Sequence, residues 1–182
     1  MTDTAPLRES TSSSFPIRVA DLPNRSGIRF RLAPDSKSRA NIAQQLEVVK
    51  LRKLTFIGSL RPDGFHDWVL EGTLGATAVQ DCVVTGAPVT TRIDEPVLRR
   101  YLRQMPEIEG IEVAIPDDDS IEPLPPVIDL SAVMAEALAL SLPDYPRVEG
   151  AVFDASASGL TEGEPERRNP FAALAALKDQ QD

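Results

Sequence analysis

The chain has 182 residues, of which 42% are hydrophobic and 26% are charged. This ordinary globular composition suits one sizeable core, is short for two full domains, and excludes a disordered or fibrous protein. The formal net charge is -9. Residues 1–104 hold 15 Lys and Arg against 11 Asp and Glu, a net of +4, and residues 105–182 hold 4 against 17, a net of -13. Acidic proteins repel phosphate backbones at long range, so RNA binding is expected only on a local basic face.

Targeting and redox features predict a cytoplasmic protein. Residues 1–14 lack the apolar core of a signal peptide, and no apolar stretch approaches the ~20 residues that a membrane span requires. Cys82 is the only cysteine and His66 the only histidine, so neither a disulfide nor a four-ligand zinc site is expected. The sequence therefore predicts no cofactor, no metal and no membrane association.

The predicted domain plan has four parts. A flexible N-terminal tail covers residues 1–14, and a single α+β domain covers residues 15–147. Gly, Ala, Ser and Glu dominate residues 148–168, which is typical of a flexible linker. Residues 169–182 are predicted to form a short C-terminal helix. Asn169 is a favourable N-cap residue, and Pro170 is favourable at the first helical position.

The first half of the domain begins with two alternating apolar runs, at 15–22 and 28–32, which predict two strands separated by a turn. Apolar residues spaced three and four apart then predict a helix over about 36–48. Asp35 or Ser36 is the expected N-cap of that helix.

The middle of the chain predicts a three-stranded antiparallel meander. Alternation over 54–60 is followed by Pro62-Asp-Gly64, which favours a hairpin turn. The partner strand places Trp68, Leu70 and Leu74 on one face. A third strand is expected from 89 to 102, with Pro96 interrupting its ladder.

Acidic residues and prolines dominate 107–126, which predicts a solvated connection. Next, Asp129 is the expected N-cap of a helix over 130–141 that packs on the sheet, where Trp68, Leu70, Leu74 and Leu138 should be buried together. The predicted fold class is thus α+β: an antiparallel sheet, made of the central meander and the N-terminal strands, covered by two helices with flexible termini.

The sequence indicates no enzyme. It contains no phosphate-binding Gly loop, nucleophile elbow, Cys-x-x-Cys pair or His-Glu-x-x-His motif. Cys82 lies in an apolar run typical of a buried small residue, and His66 lies in the predicted turn, where solvent exposure is the ordinary expectation. The acids 117–119 lack calcium-loop spacing and are interpreted as a solvated loop.

Two basic clusters are candidate contacts for the phosphate groups of RNA. They are Lys50, Arg52 and Lys53 before one strand and Arg99, Arg100 and Arg103 at the end of another. The two clusters are predicted to converge into one basic edge of surface charges. The alternative is that these charges only solvate a sheet edge and discourage edge-to-edge pairing.

Several segments, in order, resemble the YceD family of large ribosomal RNA subunit accumulation proteins in its alphaproteobacterial form. They are Val79–Val89 (VQDCVVTGAPV), Thr91–Glu95 (TRIDE), Ile128–Ser131 (IDLS), Glu136–Leu140 (EALAL), Pro143–Arg147 (PDYPR) and Asn169–Phe171 (NPF). Candidate family-motif positions are Cys82, Thr85, Pro88, Asn169, Pro170 and Phe171. Many relatives carry cysteine pairs that look zinc-binding, but the second cysteine of one such pair is Thr85 here, so no metal is carried over.

The resemblance implies a non-enzymatic ribosome-biogenesis factor that supports accumulation or stability of large-subunit (23S) ribosomal RNA. Its expected partners are the large-subunit precursor, ribosomal RNA, a large-subunit ribosomal protein, or a combination of these. The alternative is a protein-interaction module of an unrelated complex, and a hydrolase is a distant third. The step in maturation and the oligomeric state stay open.

Overall fold

The structure, a computed structural model, describes residues 5–12, 14–105 and 120–152. The chain divides into two units, residues 1–149 and 150–182, and nearly all described residues belong to the first. The predicted C-terminal helix over 169–182 and most of the predicted linker over 148–168 lie outside the described residues. No described helix has both the length and the apolar character that crossing a membrane requires.

Strands dominate the described residues. In chain order the elements are β1 (Leu7–Ser10), β2 (Pro16–Arg18), a 3-10 turn (Val19–Asp21), β3 (Ile28–Leu32), α1 (Ser36–Gln45), β4 (Lys50–Asp63), β5 (Asp67–Asp81), β6 (Pro88–Leu102), β7 (Ile121–Pro123), β8 (Val127–Asp129) and α2 (Leu130–Ser141). One six-stranded sheet has the order β1-β3-β4-β5-β6-β7, and β2 and β8 form a separate pair.

The predicted fold class is wrong, because the large sheet is mixed and the described chain is mostly strand. β4, β5 and β6 pair antiparallel, but β1 runs parallel to β3 and β7 runs parallel to β6. Both parallel strands are short edge strands, too brief to give a clear period-two pattern. The predicted connection over 107–126 thus contains a strand, and so does the predicted flexible tail over 1–14.

Two further details differ from the sequence prediction. β2 pairs with β8 in a separate sheet, so only the second of the two predicted strands within residues 15–32 joins the large sheet. Pro96 also leaves β6 continuous, since it lies opposite Thr73 within an unbroken ladder. Proline is tolerated there because β7 pairs only with Arg100–Leu102, and β6 has no described neighbour on that side at Pro96.

One hydrophobic core lies under a single face of the large sheet. Even-numbered residues of β4 from Leu54 onward and of β5 point into it, as Phe56 and Leu74 do, and both helices bury apolar residues in the same cluster. Trp68, Leu70, Leu74 and Leu138 all belong to this cluster with at most 4% exposure, which confirms their predicted joint burial. Most of the driving force for folding therefore acts on this face.

Both helices begin at the predicted caps. The Asp35 carboxylate accepts a hydrogen bond from the Ser38 N–H at 2.8 Å, and the Asp129 carboxylate accepts one from the Ser131 N–H at 2.9 Å. α1 ends at Gln45, before the predicted residue 48, because Glu47 takes a positive φ of 54° that ends helical geometry.

Candidate functional site

No described helix packs on the second face of the large sheet, called the open face here. On β3 and β5 the odd-numbered residues lie on this face, and on β4 the odd-numbered residues do so from Lys53 onward. On β6 the even-numbered residues lie on it. Ile57 and Leu98 are 47% and 49% exposed on this face. Three long neighbouring strands therefore offer a broad surface to a partner.

The open face is rich in arginine. Its cations are Arg29, Arg31, Lys53, Arg61, Arg92 and Arg100. Arg61 forms an ion pair with Glu71, and Arg92 forms one with Asp94. Arg100 approaches the Asp63 carboxylate at 3.4 Å. Carboxylates therefore offset the charge near one end and along β6.

Arg29, Arg31 and Lys53 form what we call the cationic strip. Among the described residues none of the three makes an ion pair, and all are exposed. Arg29 donates from Nε to the Ala5 carbonyl oxygen at 3.3 Å, which leaves its positive charge uncompensated. Glu9 lies at the partner position of Arg31 on β1, so the three cations and this one carboxylate together carry a formal charge of +2, which gives this part of an acidic protein a local positive potential.

The single basic edge predicted from the sequence does not form. Lys53 lies opposite Thr77 on β5, whereas Arg100 lies opposite Val69. Eight residues of extended strand separate these positions, which corresponds to about 27 Å. In this antiparallel meander the start of β4 and the end of β6 lie at opposite ends of the sheet. The cluster at the start of β4 and the cluster at the end of β6 therefore cannot converge.

Arg99 is the least accessible of the predicted contacts. It points to the core side of β6, where its side chain is 15% exposed. Its guanidinium donates to the Glu122 carboxylate at 2.7 Å and to the Glu136 carboxylate at 2.9 Å. Arg99 therefore joins β6 to β7 and α2, and it is not the surface charge that the sequence suggested.

Arg103 and the first cluster remain exposed. Arg103 follows β6, and its backbone N–H donates to the Asp67 carboxylate at 2.8 Å. Lys50 borders a cavity of about 360 Å³ between α1 and β4, which Arg39 also lines. Arg52 lies at a register shift between Leu51 and Lys53, so it has no partner position on β5.

Cys82 and Thr85 form the turn between β5 and β6. The Gly86 N–H donates to the Cys82 carbonyl at 2.8 Å, and the Ala87 N–H donates to the Thr85 hydroxyl at 3.3 Å. Pro88 begins β6 directly after this turn. Hydrogen bonds from the Thr85 side chain and from the Val148 backbone lower the pKa of the buried Cys82 thiol to about 7.

The segment after α2 packs against this turn. The Val83 N–H donates to the Pro146 carbonyl at 3.0 Å, and the Val148 N–H donates to the Cys82 sulfur at 3.4 Å. Within the described ranges no three His, Cys, Asp or Glu side chains come together as a metal site would require. Hydrogen bonds therefore join the β5–β6 turn to residues 146–148. Asn169, Pro170 and Phe171 lie outside the described residues.

Sequence reasoning missed Arg29 and Arg31. A signal was present, because both arginines alternate with Ile28, Phe30 and Leu32, which are fully buried. Period-two alternation places them together on the opposite face. The sequence could not show that no described helix covers that face.

One family model matches the chain. The model of the large ribosomal RNA subunit accumulation protein YceD matches residues 70–178, more than half of the sequence. The chain belongs to the YceD family. No curated protein and no solved structure gives a significant match. The YceD match begins in β5 and includes the Cys82–Thr85 turn, whereas the cationic strip on β3 and β4 precedes it.

Proposed function

We propose that this YceD-family chain is a non-enzymatic cytoplasmic factor that supports accumulation of large-subunit ribosomal RNA by binding its precursor. The cationic strip on the open face is the observation that supports direct RNA contact. Phosphate contacts by Lys and Arg supply most of the sequence-independent affinity for nucleic acid. Large-subunit precursor particles are the proposed partner.

The arrangement of charge favours a local contact over general adhesion. The chain carries a formal net charge of -9, so surfaces other than a basic patch repel RNA. Ser59 lies opposite Arg29 beside the cationic strip on β4, and hydroxyl groups are frequent donors to phosphate oxygens. RNA would therefore bind across β3 and β4.

The test compares two charge-matched double variants of the full chain. Arg31→Gln with Lys53→Gln changes the cationic strip, while Lys37→Gln with Arg147→Gln removes the same charge elsewhere. Binding to a large-subunit precursor transcript is measured over a range of salt concentrations. Two lost phosphate contacts should flatten the slope of log affinity against log salt by about 1.4–1.8 in the first variant only. Equal slopes in both variants would exclude the cationic strip as the contact.

A cellular experiment tests the wider proposal. Deletion of the gene should lower the amount of large-subunit RNA relative to small-subunit RNA. The tagged protein should copurify with large-subunit precursors. If deletion leaves the RNA ratio unchanged and copurification recovers only unrelated proteins, the chain is an interaction module of another complex.

A further inference from the structure

Phe65 occupies the tip of the β4–β5 hairpin and is 99% exposed. No other large hydrophobic side chain in the described ranges exceeds 82%. The turn itself depends on Gly64, whose φ of 71° favours glycine, and not on an aromatic residue at the next position. An exposed ring that the fold does not require is available for stacking against a planar partner.

Polar and apolar residues both surround Phe65, and the apolar ones are Val19, Ala20, Pro62, Trp68 and Leu124. Two shallow cavities, of about 220 and 510 Å³, share the lining residues Phe65, His66, Asp67 and Arg103. Asn24 lines the first cavity and Gln104 lines the second. An aromatic ring, a cation and two amides therefore border the same small region.

Arg103 is held beside the hairpin by its main chain. Its N–H donates to the Asp67 carboxylate at 2.8 Å, a contact between residues 36 positions apart in sequence. The Arg103 side chain is exposed and has no ion-pair partner within the part of the chain that the structure describes. One Asp67 oxygen is already occupied by the backbone N–H, and the guanidinium stays available to an anion.

We propose that the hairpin tip binds an unpaired nucleotide of RNA, with its base stacked on Phe65 and a neighbouring phosphate on Arg103. Bases stack on exposed aromatic rings only when they are free of a duplex. An apolar protein partner fits less well, because Trp68 is buried and Leu124 partly buried beside the ring, so they do not extend Phe65 into an exposed apolar patch. This inference rests on the proposed function, since it assumes that the chain meets ribosomal RNA.

The test uses the full chain and a short single-stranded RNA that contains the fluorescent base 2-aminopurine. Phe65→Ala and Phe65→Leu should weaken binding by about 5- to 150-fold, the range expected for loss of one stacked base. Phe65→Tyr retains the ring and should bind like the parent. The fluorescence quenching that stacking produces should disappear in the Ala and Leu variants and persist in the Tyr variant.

Two controls separate this site from the cationic strip. Binding to a duplex of the same sequence should be unchanged by Phe65→Ala, whereas Arg31→Gln with Lys53→Gln should still flatten the salt dependence. If Phe65→Leu binds and quenches like the parent while the strip variant loses affinity, the hairpin site is excluded and the proposed function stands. If the parent binds neither RNA, both proposals fail. If the Phe65→Ala variant binds RNA like the parent but a protein is lost from the precursor particles that copurify with it, the hairpin tip binds that protein and not RNA.

Discussion

Replacing Arg99 by Met tests the structural role of its ion pairs. Methionine keeps much of the aliphatic stem but removes both charge-assisted hydrogen bonds, to Glu122 and to Glu136. Hydrogen bonds to charged groups are worth about 1.5–3 kcal/mol, and partial exposure of Glu122 favours the lower end. The more exposed Glu136 adds about 0.2–1 kcal/mol. The expected loss is about 2 kcal/mol.

For a protein of this length, a loss of about 2 kcal/mol lowers the midpoint of thermal unfolding by roughly 4–8 °C. Chemical denaturation measures the free energy of unfolding, and Arg103→Met is the control because the exposed Arg103 side chain lacks an ion pair among described residues. Its effect should stay within about 0.5 kcal/mol. Adding Glu122→Gln to Arg99→Met should cost less than the sum of the single changes. Equal stability of Arg99→Met and the parent would refute the structural role of Arg99.

Four other substitutions test two turns, a helix cap and the Cys82 thiol. Gly27→Ala should lower the free energy of unfolding by about 2–4 kcal/mol, because φ is 64° and the new Cβ would overlap the Leu60 carbonyl oxygen. Gly64 has a similar φ of 71° but open space around it, so Gly64→Ala should lower the free energy of unfolding by about 1 kcal/mol. Asp129→Ala should cost about 0.5–2 kcal/mol through loss of the α2 cap, measured by denaturant titration. Folding lowers the pKa of Cys82 from 9.0 to about 7, so the unfolded chain binds more protons than the folded chain between pH 7 and pH 9. The stability of the folded protein should therefore rise from pH 7 to pH 9, and this contribution should be lost as the pH falls through 7. Cys82→Ser should remove that rise, and an unchanged pH profile would contradict the assignment.

Local sequence signals predicted the helices well. Asp35 and Asp129 were recognised as cap candidates, and both caps form because carboxylates satisfy free N–H groups at a helix start. The strand 28–32 was predicted with its observed bounds, since full alternation gives a strong signal. β1 and β7 were not predicted because strands of three or four residues depend on pairing with distant chain segments.

Site prediction was limited by topology. The sequence located the charges of Lys53 and Arg100 but not the strand direction that separates them. It also gave no means to distinguish Arg99, which is ion-paired on the core side, from its neighbour Arg100 on the open face. The exposure of Phe65 depends on how far the hairpin extends beyond the core, which only the three-dimensional structure shows.

The pairing of β2 with β8 has a consequence for synthesis of the protein. The Phe15 N–H donates to the Asp129 carboxylate across 114 positions of sequence. At about 5–20 residues per second, the ribosome makes the second partner roughly 6–23 s after the first. During that interval residues 16–18 have no partner strand, so the nascent chain exposes apolar surface until β8 emerges. The chain should therefore complete folding late in translation, and a chaperone that binds nascent chains should raise its yield most when elongation is slow.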